Sequence, residues 1–300
     1  MKDIVLYCKS YRRDFLRLER LLKSIEKFNQ NRIPFYISTP SADKDELIRI
    51  LGDEGSYLWV SDEEIVRANP KASIDLYKEL PGGLSQAIVK SEFWRLGISE
   101  NYLCLDSDCV FIKPFSISDF IADDGVPYTV LHQNKEYFQL ASDRGEDQVL
   151  MNLRSEARRV QALFERSGPE FYCAPAPFIW SAKVWQSLDQ EFLHKQNINI
   201  WDLISPDYPE TLIYGEALMK YRAIPLIAIE PLFRVYHYSW QYFLMRRLGE
   251  TEEKLKLNFL GIIYQSNWES GLNNGESIKS IPSRLNKSLK TFFRYLQSYL

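Results

Sequence analysis

Tyr102-Leu-Cys-Leu-Asp106-Ser107-Asp108-Cys-Val-Phe-Ile-Lys-Pro114 is the stretch on which the reading of this chain turns. Residues 102–105 form an apolar run of strand length that ends in an acidic turn, the pattern of a buried strand. Residues 110–112 continue extended, and Lys113-Pro114 turns the chain away. Upstream, 4–8, 34–38 and 57–60 are further short apolar runs. Between them, 14–28, 43–51 and 85–96 carry apolar residues at helical spacing. Gly52 stops the second of these helices, and Pro81-Gly82-Gly83 makes a turn before the third. Such alternation predicts an α/β domain with a mostly parallel, Rossmann-type sheet and flanking helices.

Downstream, strands are expected at 126–131 and 225–229, and helices at 148–164, 183–193 and 211–221. Helical or loop-helix segments are expected at 237–248 and 252–260, whereas 171–180, with Pro175 and Pro177, reads as partly loop. Residues 271–283 are rich in Gly, Asn and Ser and read as a linker. A helical C-terminal extension is therefore expected over 249–300, ending in an amphipathic stretch at 283–300.

Composition narrows the function. With 300 residues, 45% hydrophobic and 26% charged, the chain is neither disordered nor fibrous. Its 37 basic and 40 acidic residues leave a net charge of −3, which argues against a nucleic-acid partner. Four cysteines, Cys8, Cys104, Cys109 and Cys173, show no Cys-x-x-Cys spacing, so reduced thiols rather than a zinc site are expected. No run of 18 apolar residues and no signal-like start occur, which points to a cytoplasmic protein.

In extended backbone, side chains two apart share a side. Ligands of parallel sheets bind beyond the carboxyl ends of the strands. Asp106 and Asp108 are thus placed to converge on one hard cation, Mn²⁺ or Mg²⁺. The alternative is a turn carrying two solvated carboxylates.

Asp106-Ser107-Asp108 after Tyr-Leu-Cys-Leu resembles the Asp-x-Asp signature of GT-A fold glycosyltransferases, in particular poorly characterised bacterial ones acting on surface glycans. The resemblance extends to Gly83-Leu-Ser-Gln86-Ala-Ile-Val-Lys90, similar to the helix that faces the nucleotide sugar in those enzymes. It implies a GT-A-like domain with a nucleotide-sugar-binding half at 1–125 and an acceptor-binding half at 126–248. It implies a nucleotide-diphosphate sugar as donor and a glycan or lipid-linked acceptor. Tyr7, Ser10, Arg12, Gln86, Lys90 and Asp106 would then bind the donor. Asp106, Asp108 and His237 would hold the metal, His237 being one of three histidines and following a late strand. Asp108 and Glu210 would be catalytic, with Glu210, in Pro206-Asp-Tyr-Pro-Glu210, removing the acceptor proton. His132, Trp180 and Glu216 would line the acceptor side. Asp14 could also reach the donor, and plainer readings stand beside these: Asp14 and Glu210 as helix-start charges, His237 and Trp180 as packed core, Lys90 as a surface lysine.

The His-x-x-Gly-x-x-Lys-Pro-Trp pattern of one retaining group is absent, because His237 is followed by Tyr-Ser-Trp; the lean is to inversion. No Walker or dinucleotide glycine loop and no Gly-x-Ser-x-Gly elbow occurs. A nucleotidyltransferase and a non-catalytic nucleotide- or sugar-binding module are the competing functions. The tail at 283–300, with Arg284, Lys287, Lys290 and Arg294 largely on one face, reads either as a peripheral contact at the inner face of the membrane or as a helix packed on protein.

Overall fold

The computed structural model describes residues 2–53, 55–172, 177–236 and 239–264. The first half runs β1 (Lys2–Lys9), α1 (Phe15–Phe28), β2 (Phe35–Thr39), α2 (Lys44–Leu51), β3 (Leu58–Ser61), α3 (Asp62–Arg67), α4 (Ile74–Glu79), α5 (Gly82–Glu92), β4 (Ser99–Leu105) and β5 (Cys109–Phe111). The second runs β6 (Thr129–Val130), α6 (Lys135–Asp143), α7 (Asp147–Leu163), β7 (Phe178–Ser181), α8 (Ala182–Leu188), α9 (Ile200–Leu203), α10 (Glu210–Tyr221), β8 (Ala228–Ile229), β9 (Phe233–Val235), α11 (Ser239–Arg247), α12 (Glu252–Asn258) and β10 (Gly261–Ile263).

The central sheet has the order β3-β2-β1-β4-β7. Its first four strands are parallel, and β7 closes one edge antiparallel to β4, with Leu103 opposite Ile179. This is the mixed α/β, mostly parallel architecture expected from the alternation of runs. β1 is central because Val5, Leu6, Tyr7 and Cys8 are apolar or aromatic without interruption and wholly buried, as a strand covered on both faces requires. α1 buries Phe15, Leu18, Leu21, Leu22 and Ile25 as one stripe. The Ser61 hydroxyl accepts from the Glu64 N–H at 3.1 Å and starts α3 directly off β3.

The structure departs from the expected elements in the second half. β6 and β8 are two-residue strands that pair with each other rather than longer runs. β7 is a strand within the stretch expected to be partly loop: the proline-rich segment ends before Phe178, where four consecutive buried residues pair with β4. Residues 249–264 do not begin a separate helical extension. α12 is followed by β10, which inserts between β5 and β9, antiparallel to the first and parallel to the second. The linker at 271–283 and the tail at 283–300 lie outside the described residues. Among the described residues no helix is long and apolar enough to cross a membrane.

Gly261 is required by contact rather than by backbone angle. A Cβ built there would meet the buried Phe233 ring at 2.2 Å. Phe233 sits opposite Gly261 in the sheet and packs edge-on against Phe111, so the ring has little room to retreat. Gly261→Ala is expected to cost about 1–3 kcal/mol of overpacking. Urea unfolding checks it, and an unchanged midpoint would show that the ring yields freely.

Candidate active site

The Asp106-Ser107-Asp108 turn stands at the carboxyl end of β4, next to β1 at the centre of the sheet. The Cys109 N–H donates to the Asp106 carbonyl at 3.0 Å, and the Tyr264 N–H donates to the Asp108 carbonyl at 3.1 Å. The turn is therefore closed on itself and stitched to the residue following β10. α5 supplies two further groups. Gln86 and Lys90 are one helical turn apart, and both reach Asp106 Oδ1, Gln86 Nε2 at 3.3 Å and Lys90 Nζ as a direct ion pair. The Lys90 side chain is 5% exposed and that of Asp106 is 29% exposed, so the cation is interior and the carboxylate faces the opening.

Burial alone would push the Lys90 ammonium down; the charge of Asp106, to which it is hydrogen-bonded, and that of Glu210 overcome this and hold it above its usual value. Glu210, at the first turn of α10, belongs to the same electrostatic group. Burial raises its carboxyl above the ordinary range, Lys90 and its own backbone N–H pull it back, and Asp106 lifts it. Asp14, at the start of α1, is likewise raised by burial, is paired with Arg17 at 2.6 Å, and faces Ser107 and Asp106. The thiols of Cys8, Cys104 and Cys109 are pushed up by burial and by the neighbouring Asp106 carboxylate, so all three are neutral at pH 7.

Two carboxylates at a strand end are an all-oxygen donor set, which suits a hard divalent cation completed by substrate phosphates. Among the described residues no group of three or more His, Cys, Asp or Glu stands together to hold a metal. His237 lies outside the described residues.

A second buried polar cluster, which sequence reasoning missed, lies beside the turn at the ends of β1, β2 and β3. Lys9 Nζ pairs with Asp62 Oδ2 at 2.9 Å and donates to the Ser10 carbonyl at 2.8 Å. The Tyr77 hydroxyl donates to the same Asp62 oxygen at 2.8 Å. Tyr7 and Ser38 share a hydrogen bond of 2.9 Å. Burial raises the Asp62 carboxyl, against the pull of Lys9, Tyr77 and Ser38.

The other expected residues fall differently. Tyr7 is wholly buried and stacked on Phe93 with centroids 3.8 Å apart, so its ring has no face left for a base. Trp180 is also core, stacked on Phe178 and edge-on to Trp185, because β7 is covered on both sides; it offers no surface to a sugar. Glu216 is held by Arg166 through two contacts of 2.5 and 2.8 Å, which occupies both carboxylate oxygens in a structural pair. Arg12 is largely exposed and leans on Asp43 at 3.7 Å, and Ser10 is buried at the strand end. The structure thus brings together Asp106, Asp108, Gln86, Lys90 and Glu210.

Residues 3–252 match the model of a family of unknown function, DUF6492. The chain belongs to this family. No curated protein matches this sequence. Among the solved structures that match it is mouse xyloside xylosyltransferase 1 in its apo form, at 9% identity and a TM-score of 0.46, covering 88% of this chain and 98% of that one.

A cleft of about 890 Å³ lies apart from this cluster, between the start of α6, β9 and the end of α12. Among the described residues, His132 is the one expected site residue that lines it. Val235, at its edge, pairs with Ile263, which pairs with Cys109. Two strand spacings, about 10 Å, therefore separate Val235 from the Asp106–Asp108 turn.

Proposed function

We propose that the protein is a glycosyltransferase that moves a sugar from a nucleotide-diphosphate sugar to a hydroxyl acceptor, with inversion at the anomeric carbon. The observation that carries this reading is the convergence of a buried lysine, a half-exposed carboxylate and a second carboxylate from α10 at the carboxyl end of the central parallel strands. A strand end of this kind is where parallel sheets take nucleotides. Lys90 supplies a fixed positive charge for a diphosphate, and Gln86 supplies a neutral donor beside it. Asp106 and Asp108 would hold Mn²⁺ or Mg²⁺, which when bound neutralises charge on a diphosphate leaving group. Glu210 acts as the base. The acceptor oxygen bonds to the anomeric carbon, the bond from that carbon to the diphosphate breaks, and the acceptor proton passes to Glu210.

The test is a thermal-stability titration with a panel of nucleoside diphosphates, with Mn²⁺ or with EDTA, followed by product analysis with the matching sugar nucleotides. A stabilisation by one nucleotide that needs Mn²⁺ is expected, since a ligand of the native state adds RT ln(1 + [L]/Kd). No shift with any nucleotide, with or without metal, would reject the reading. Glu210 adds a pH dependence. Its carboxyl sits above the usual value, so the base is lost by protonation as pH falls through that raised value. The acid limb of kcat/KM is expected above about pH 4.3, the ordinary glutamate value. Glu210→Gln should remove that limb together with about 10²–10⁴ of the rate. A limb that survives the substitution would assign the base elsewhere.

A further inference from the structure

One strand reaches Lys90 at both ends. Asp106, just past β4, pairs with its ammonium, and the Tyr102 hydroxyl, on β4, donates to its main-chain carbonyl at 3.2 Å. Tyr102, Cys104 and Asp106 alternate along one extended stretch, so the hydroxyl and the carboxylate leave it on the same side. Lys90 lies in the last turn of α5, where carbonyls run out of intrahelical donors, and the phenol supplies one. Burial pushes the Tyr102 pKa up, so the hydroxyl keeps the proton it donates. The ring has no room to swing away. It is wholly buried, edge-on to Phe93 at 5.2 Å and to Trp180 at 5.8 Å between centroids.

The other end of α5 is weakly held. The helix opens on exposed Gly82 and Gly83 without a side-chain cap, and glycine is a poor helix former. Its C-terminal end is the fixed one, where the buried Glu92 carboxylate accepts from Asn69, from Arg95 and from the Trp201 indole at 3.1 Å. A long lysine side chain loses much rotamer freedom when ordered, and a charge acts best when that ordering is complete before the reaction. Tying the carbonyl and the ammonium of one residue to one strand achieves this. We infer that Tyr102 is a positioning residue for Lys90: its hydroxyl holds the backbone from which the lysine spans to Asp106. This rests on the glycosyltransferase reading only for what the charge then does to a diphosphate; the hold itself does not.

The experiment is NMR of the lysine ammonium groups in the ¹⁵N-labelled full chain with EDTA, assigned with Lys90→Met and Lys9→Met. Lys90 and Lys9 are both buried and ion-paired, so both should exchange slowly with water, and Lys9 is the internal reference. Tyr102→Phe keeps the ring and removes the hydroxyl. It should speed hydrogen exchange at Lys90 roughly two- to tenfold, the weight of one hydrogen bond, and leave Lys9 unchanged. Ser91→Ala, which removes the bond from the Ser91 hydroxyl to the Ala87 carbonyl in the same helix, should change neither. In turnover, Tyr102→Phe should lower kcat by a similar factor and have no effect in the Lys90→Met background, because the two residues act as a unit. The inference is overturned if Lys90 exchange is unchanged in Tyr102→Phe, if Lys9 shifts with it, if Ser91→Ala does the same, or if the kcat losses of Tyr102→Phe and Lys90→Met multiply. A selective change at Lys90 in a protein that transfers no sugar would instead remove the transferase reading and leave the role of Tyr102 standing.

Discussion

Asp62→Ala should lower the free energy of unfolding by about 3–5 kcal/mol, the cost of stranding one member of a buried ion pair. Asp62 is fully buried, and its partner Lys9 is nearly so. Without the carboxylate, the ammonium keeps only the Ser10 carbonyl, and the Tyr77 hydroxyl loses its acceptor. The pair itself contributes little net stability. Because burial raises the Asp62 carboxyl above its unfolded value, the charged form is disfavoured in the fold, and this group alone makes the protein less stable as pH rises through its folded value. Replacing both partners by apolar residues, Lys9→Met with Asp62→Leu, should therefore recover most of the loss. Urea denaturation of Lys9→Met, Asp62→Leu and the double variant forms the cycle. A double variant no better than Asp62→Ala would mean the pair holds the strand ends together by attraction.

The second large effect is on turnover. Lys90→Met should lower kcat by about 10²–10³-fold, the loss seen when one preorganised charge stabiliser is removed. Stability should change far less. Methionine keeps the buried methylenes, and Asp106, being partly exposed, can be hydrated when its ammonium is gone. The opposite substitution, Asp106→Asn, strands the buried Lys90 and should cost about 3–5 kcal/mol of stability as well as activity. Steady-state kinetics with the sugar nucleotide chosen by the titration, alongside thermal melting, separates the two. A kcat for Lys90→Met within threefold of wild type would remove Lys90 from the reaction.

How much of this was legible in the sequence depends on how local the signal is. β1 and β4 were readable because strands covered on both faces become unbroken apolar runs, β2 and β3 as short apolar runs between helical segments, and α1 because five buried apolar residues repeat at helical spacing. The acidic turn was readable because it interrupts such a run. β9 and β10 were not, since three residues carry no periodicity and their pairing joins segments far apart in the chain. Trp180 and Tyr7 were misassigned to ligands because an aromatic residue looks the same in sequence whether its face is open or covered. The Lys9–Asp62 pair left no trace, because its members meet only through the order β3-β2-β1. Lys90 and Gln86 were singled out by the resemblance of their helix to one that faces a nucleotide sugar, but their shared partner, Asp106, became visible only with α5 laid against the sheet.

The stitch from Tyr264 to Asp108 has a consequence for how the protein is made. About 150 residues separate the acidic turn from the strand that anchors it. At ordinary rates of synthesis, roughly 5–20 residues per second, the turn waits about 8–30 s on the ribosome for β10 to emerge. The centre of the site is thus among the first parts translated and the last completed. A chain cut at residue 252, where the family match ends, would carry every residue of the proposed chemistry yet leave β5 and β9 without the strand between them.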